Sequence, residues 1–137
     1  MWLAQSTEMD RPERHQGMID EVVHALRRVR IGRAGLPETE IRDLLADALL
    51  KAGIAWRKEY RFGPHCRADL WCDGIVVEVK KQRPRAAALI DQLTRYSKQD
   101  RVRGLVVALE RHMVLPEEIN GIPVEVVSLN SLWGIAL

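Results

Sequence analysis

Cysteine is almost absent from this chain, with Cys66 and Cys72 the only two in 137 residues. Two thiols make neither the disulfide framework of a small secreted domain nor the paired spacing of a zinc site, so a reducing cytoplasm is the expected compartment. Aromatics contribute 5% of the residues, and four of them are tryptophan. No apolar run reaches the roughly 20 residues that a membrane span needs, and the N-terminal stretch lacks the apolar core of a signal peptide, so no membrane association is expected. There is no internal repeat and no low-complexity tract. A formal net charge of +2 is too mild for whole-chain charge to establish a polyanionic partner, which leaves that role to local basic clusters. What is present is ordinary for a globular protein: 47% hydrophobic and 29% charged residues, enough for one domain with a real core.

Taken in order, residues 1–16 are polar and charged and read as a flexible N-terminal tail, with Trp2 available for an oligomer contact. Residues 17–137 read as a single domain. Met18, Ile19, Val22, Val23, Leu26 and Val29 recur at helical spacing over residues 17–30. Arg27, Arg28, Arg30 and Arg33 give that helix a basic end, which either meets phosphates or simply complements the helix dipole. A break at 32–35 precedes a second helix, opened by Pro37 and stopped by Gly53. Its apolar stripe is Ile41, Leu44, Leu45, Ala48, Leu49 and Ala52. Glu38 falls within the arc of that stripe; it either compensates the helix dipole or reaches over the sheet. Residues 54–62 alternate as a strand and 63–65 as a turn, in which His65 reads as surface or as a substrate contact. A third helix is expected over about 85–99, with Gln92 and Tyr96 projecting together at i and i+4. Residues 105–109 form a continuous apolar run of strand length, 116–120 a loop or short helical turn, and 124–129 a last strand, with the chain through Trp133 packing back on the body. The sum is an α/β fold, a mixed β-sheet flanked by helices.

The centre of the pattern is the stretch from Arg67 to Lys80. Asp73-Gly74 is a strong two-residue hairpin signal, and the β-branched run after it is a strand. Counting outward from the turn sets Cys72 opposite Ile75, Leu70 opposite Val77, Asp69 opposite Glu78 and Arg67 opposite Lys80. Leu70, Cys72, Ala68, Ile75, Val77 and Val79 then share a core face, and Asp69, Glu78 and Lys80 share the other with Trp71 and Val76. Carboxylates directly opposite one another, with Cβ atoms roughly 5 Å apart, repel unless something compensates. A hard divalent cation compensates. The alternative is a solvated sheet face on which Arg67 and Lys80 are the partners.

Asp69 followed by Glu78-Val79-Lys80 resembles the signature of the PD-(D/E)XK nuclease superfamily. Its setting strengthens the likeness: a helical Glu38 precedes the hairpin, and a helix carrying Gln92-Leu93-Thr94-Arg95-Tyr96 follows, similar to the Gln-x-x-x-Tyr motif of RecB-like and λ-exonuclease-like members. Gly35-Leu36-Pro37-Glu38 resembles the start of the GxxExxY pattern, with Ile41 where that pattern has Tyr, and archaeal Holliday-junction resolvases share the layout. The likeness spans about 18–109. It implies a restriction-endonuclease-like core and a phosphodiesterase dependent on Mg²⁺ or Mn²⁺, acting on DNA by structure or from ends rather than by sequence. Asp69, Glu78 and the Val79 carbonyl would hold the metal, and Glu38 a second metal or its water. Lys80 would orient the attacking water, and Gln92 and Tyr96 would position a phosphate or the lysine. Such chemistry needs a Lewis acid, a nucleophile made at neutral pH and a cation for the developing charge. Arg57, Lys58, Arg61, Arg67, Lys81, Arg83, Arg85, Arg95, Lys98, Arg101 and Arg103 would form a phosphate-directed rim. Cutting both strands of a duplex would call for a symmetric partner, so a homo-oligomer is the expected assembly for that activity. The alternative is a non-catalytic nucleic-acid-binding or assembly module on the same fold.

Overall fold

A computed structural model describes residues 12–31 and 35–129. Trp2, Arg33, Trp133 and the tail over 1–11 lie outside the described residues. The first helix, α1 (Pro12–Arg27), starts before Gly17 and so takes in the last residues assigned above to the tail. Proline suits a first helical position, where its missing N–H removes no bond. α2 runs over Glu38–Lys51. Gly53 ends it at φ 79°, with Gly53 N–H on the Leu50 carbonyl at 3.0 Å and Ile54 N–H on the Leu49 carbonyl at 2.9 Å, a Schellman arrangement that satisfies the last turn.

The strands are β1 (Arg57–Gly63), β2 (Cys66–Cys72) and β3 (Ile75–Lys80), then, after α3 (Ala86–Ser97), β4 (Gly104–Leu109), β5 (Glu118–Ile119) and β6 (Ile122–Ser128). They make one six-stranded sheet in the order β1-β2-β3-β4-β6-β5. β1, β2 and β3 are antiparallel neighbours, β4 is parallel to β3 across the α3 crossover, and β6 is parallel to β4. β4 is buried along its whole length, as its unbroken apolar run requires of a central parallel strand. The sequence misses β5, which pairs for only two residues with β6 and carries too short an apolar pattern to register.

The expected turn is present: Asp73 and Gly74 both take positive φ, 46° and 98°. A Cβ at Gly74 would stand 2.7 Å from the Arg101 carbonyl, so the position needs glycine for space as well as for conformation. Cys72↔Ile75, Trp71↔Val76 and Leu70↔Val77 pair as counted.

The sheet divides two cores. α1 and α2 cover one face, packing Ile19, Leu26, Ile41, Leu45 and Leu49 onto Leu70, Ile75, Val77, Val79 and Val106. α3 covers the other, packing Leu89, Leu93 and Tyr96 with Phe62, Trp71, Val76, Leu105 and Val107. Ala68 belongs to this second core, not with Leu70 as strict alternation predicts. The alternation of faces breaks at Asp69, although the β1–β2 register is the same on both sides of it and shifts only between Arg61 and Gly63. Glu59, which faces Asp69 between the Lys58↔Leu70 and Tyr60↔Ala68 pairs, sits at φ 49°, the matching irregularity in β1. Among the described residues no helix is long and apolar enough to cross a membrane.

Candidate functional site

The break in alternation at Asp69 is what opens the site. The β2–β3 ladder has Leu70↔Val77 as its last main-chain pair toward the C-terminal end of β3. There Asp69 Oδ2 accepts the Val79 backbone N–H at 2.8 Å, replacing a main-chain carbonyl with a carboxylate. Asp69 is thereby fixed at the end of the ladder by β3 itself rather than standing as a free cross-strand partner.

Glu78 follows from the alternation of β3, which sends Val76 and Glu78 to the α3 side. It is only 4% exposed. Its Oε1 lies 3.4 Å from the Tyr96 hydroxyl and its Oε2 3.8 Å from Lys80 Nζ. That hydroxyl donates to the Arg67 carbonyl at 2.9 Å and accepts from Gln92 Nε2 at 3.0 Å. Gln92 and Tyr96 therefore act as one unit along α3, joining β2 to the acidic floor. Asp69, Glu78, Lys80, Gln92 and Tyr96 line one open depression of about 410 Å³, rimmed by Arg61, His65, Arg67 and Arg95.

The electrostatics are those of two acids held too close in too little water. Burial, then the neighbouring Asp69 charge, pushes Glu78 up to about 8; Lys80, a bond from the Asp69 backbone and the Tyr96 hydroxyl pull the other way. Burial also raises Asp69, against the Val79 N–H bond and Lys80, with the Glu38 charge adding to the rise. Burial followed by the Glu78 charge raises Tyr96, so its hydroxyl stays protonated.

Glu38 stands apart. It is exposed, its Oε1 accepts the Lys81 backbone N–H at 3.1 Å, and it lines a neighbouring depression with Lys81, Arg83, Glu110 and Arg111. Its place at the first turn of α2 puts its charge within reach of Asp69 but its carboxylate on the chain leaving β3. Among the described residues no group of three or more His, Cys, Asp and Glu gathers closely enough to hold a metal ion. Of the proposed basic rim, Arg61, Arg67 and Arg95 border the acidic depression, Arg83 borders the one with Glu38, and Lys58 pairs with Asp43 at 2.8 Å. His65 reaches the rim at φ 56° and gives its carbonyl to Arg95 Nε at 3.1 Å. Cys66 also lines the depression; it shares the α3 side with Ala68 because the faces change over at Asp69, which no local pattern announces.

Compared with protein-family models, curated proteins and solved structures, the chain matches none of them.

Proposed function

We propose that this protein is a metal-dependent nuclease with a restriction-endonuclease-like core, hydrolysing DNA phosphodiester bonds by structure or from ends rather than by sequence. The observation that carries the reading is Glu78: a carboxylate almost wholly buried beside Asp69, with the Lys80 ammonium 3.8 Å away. A buried acid facing another acid is disfavoured without a cation. The order of helix, three antiparallel strands, crossover helix and parallel strand supports the same reading.

The donor set fits Mg²⁺ or Mn²⁺. Such an ion takes one or two carboxylates and keeps several waters, so Asp69 and Glu78 suffice, with the Val79 carbonyl as a further donor and Glu38 through a bound water. Bound there, the ion would supply Lewis acidity and a nucleophile at neutral pH. The chain supplies the rest. Lys80 holds a positive charge where a phosphate gains negative charge. Tyr96 and Gln92 keep Glu78 and the Arg67 main chain in place. Arg61, Arg67 and Arg95 draw the phosphate backbone over the floor in a salt-sensitive way that reads no bases. A symmetric dimer would let two such sites cut a duplex, and a cytoplasmic setting agrees with two unpaired, buried thiols.

The absence of a third acid beside Asp69 and Glu78 among the described residues favours a second reading, a non-catalytic nucleic-acid-binding or assembly module. One experiment decides. Linear, single-stranded and branched DNA are incubated with the purified protein and Mg²⁺ or Mn²⁺, beside Asp69→Ala. Metal-dependent cleavage lost in the variant supports the nuclease. Salt-sensitive binding without turnover selects the second reading, and cleavage undiminished by Asp69→Ala overturns the assignment of the site.

A further inference from the structure

The α3 side of the sheet carries a second feature, outside the acidic depression. Its rings touch in series. Tyr96 meets Phe62 edge-on at 5.0 Å, Phe62 stacks on Trp71 at 5.1 Å, and Trp71 meets Tyr60 at 5.1 Å. The series begins beside Glu78 and ends on the edge strand β1. There the Arg101 guanidinium lies 5.1 Å from the Trp71 ring and 5.2 Å from the Tyr60 ring, and its Nη2 donates to the Tyr60 hydroxyl at 2.6 Å. Arg57 lies 5.4 Å from the same tyrosine ring.

Arg101 and Arg57 are both exposed. Among the described residues the ion pairs involve Arg42, Lys51, Lys58 and Lys80. None involves Arg57, Arg61, Arg67, Arg95 or Arg101. A run of guanidiniums without carboxylate partners thus extends from the rim of the depression to the edge of the sheet. At its far end one exposed guanidinium lies against two rings.

A partner must satisfy both the charge and the flat surface. An acidic protein surface answers the charge and leaves the flat face unused. Duplex nucleic acid answers the charge but keeps its base faces stacked within the helix. An unpaired strand offers phosphates along the run and a planar base for the guanidinium, a surface on which bases stack as they do on aromatic rings. The distances suit this. Trp71 pairs with Val76, so the stack lies only two strand residues, roughly 7 Å, from the level of Glu78. Neighbouring nucleotides can occupy both places.

We propose that Arg101, held against Trp71 and Tyr60, is a stacking platform for a base of single-stranded nucleic acid whose phosphates pass over Arg61 and Arg67 to the Glu78 depression. This rests on the reading that the depression acts on nucleic acid, and it narrows the substrate to unpaired strands or frayed ends.

The test is binding in EDTA, where nothing is cut. Labelled single-stranded oligonucleotides of equal length, one bearing bases and one wholly abasic, are titrated by fluorescence anisotropy. The native protein is expected to bind the base-bearing strand about tenfold more tightly. Arg101→Lys keeps the charge and loses the planar face, so it should cancel most of that preference while holding the abasic affinity within about twofold. Thermal melting confirms that the variant folds; should it not, Tyr60→Leu removes the outer ring and is expected to cancel the same preference. Equal affinity for the two strands, an unchanged preference in a folded Arg101→Lys, or tighter binding of duplex than of single strand overturns the proposal. A preserved base preference without any cleavage on adding Mg²⁺ overturns the nuclease reading alone.

Discussion

The two faces of this sheet are built from different materials. Under α1 and α2 the buried residues are Ile, Leu, Val and Ala, with one thiol, Cys72, which burial pushes up to about 12 and so keeps neutral. Under α3 they include Phe62, Trp71 and Tyr96, and the two buried polar residues among those described, Glu78 and Ser97, belong to this side. One face does little but exclude water, with the partnerless Trp56 indole N–H at its margin the exception among the described residues. The other excludes water around groups that resist being dried. The difference shows how one sheet can hold a strained acidic floor: the aliphatic face supplies a stability margin from which the α3 face draws.

If that division holds, damage to the two faces should separate cleanly. The largest effect belongs to the site. Asp69→Ala should lower metal-dependent cleavage by at least about 10³-fold, on the order of 4 kcal/mol of barrier, while unfolding free energy falls by only about 1–2 kcal/mol as the Val79 N–H loses its acceptor. Equal loss of fold and activity, read by denaturant titration beside a cleavage assay, would erase the contrast. Next comes the aliphatic face. Leu45 is fully buried, and Leu45→Ala should cost about 2–5 kcal/mol while the folded protein cleaves at its native rate at low temperature.

A third change should run the other way. The folded-state value of Glu78, about 8, lies above its ordinary 4.5. Below pH 4.5 both states carry the proton and nothing is lost. Between 4.5 and 8 the unfolded chain releases a proton that the folded protein keeps, so stability falls as pH rises, and the fall levels off above 8. Glu78→Gln removes this penalty. In EDTA at pH 9 the variant should be more stable than the native protein by on the order of 2–4 kcal/mol, and at pH 4 the two should nearly coincide. Melting curves across that range give the answer; a variant less stable at pH 9 would mean that the α3 face is not under electrostatic load.

Much of this architecture is legible in the sequence because the relevant signals are local. Asp73-Gly74 dictates its turn by backbone conformation alone, and the i to i+4 spacing of Gln92 and Tyr96 places them together on any helix. The unbroken apolar run at 105–109 can only be an interior strand. What escapes is what depends on pairing at a distance. Ala68 changes face because Glu59, on another strand, takes a positive φ opposite Asp69, and no residue pattern within β2 records that. Glu38 lies at the right end of the right helix, yet its carboxylate goes to the Lys81 backbone, a partner set by how the chain leaves β3. Arg101 looks like one more surface cation until the fold lays it on Trp71 and Tyr60.

The smallest predicted effect probes the join between the aromatic and acidic parts of the α3 face. The Tyr96 hydroxyl has one proton and gives it to the Arg67 carbonyl, the nearer acceptor at 2.9 Å, with Glu78 Oε1 at 3.4 Å. Gln92 Nε2 fills one of its lone pairs. Tyr96→Phe keeps the ring against Phe62 and strips these bonds, so the loss of stability should be about 1–2 kcal/mol. Gln92→Ala removes only the half-buried outer donor, and about 0.5–1 kcal/mol is expected. The two losses should not add, because the bonds share one oxygen; the double variant should lie within about 0.5 kcal/mol of Tyr96→Phe alone. With its proton on the Arg67 carbonyl, the hydroxyl lies in the wall beside Glu78, so under the proposed function cleavage should fall by less than about tenfold in Tyr96→Phe, about 1.4 kcal/mol. A loss as deep as that of Asp69→Ala would move Tyr96 from the wall of the site to its floor.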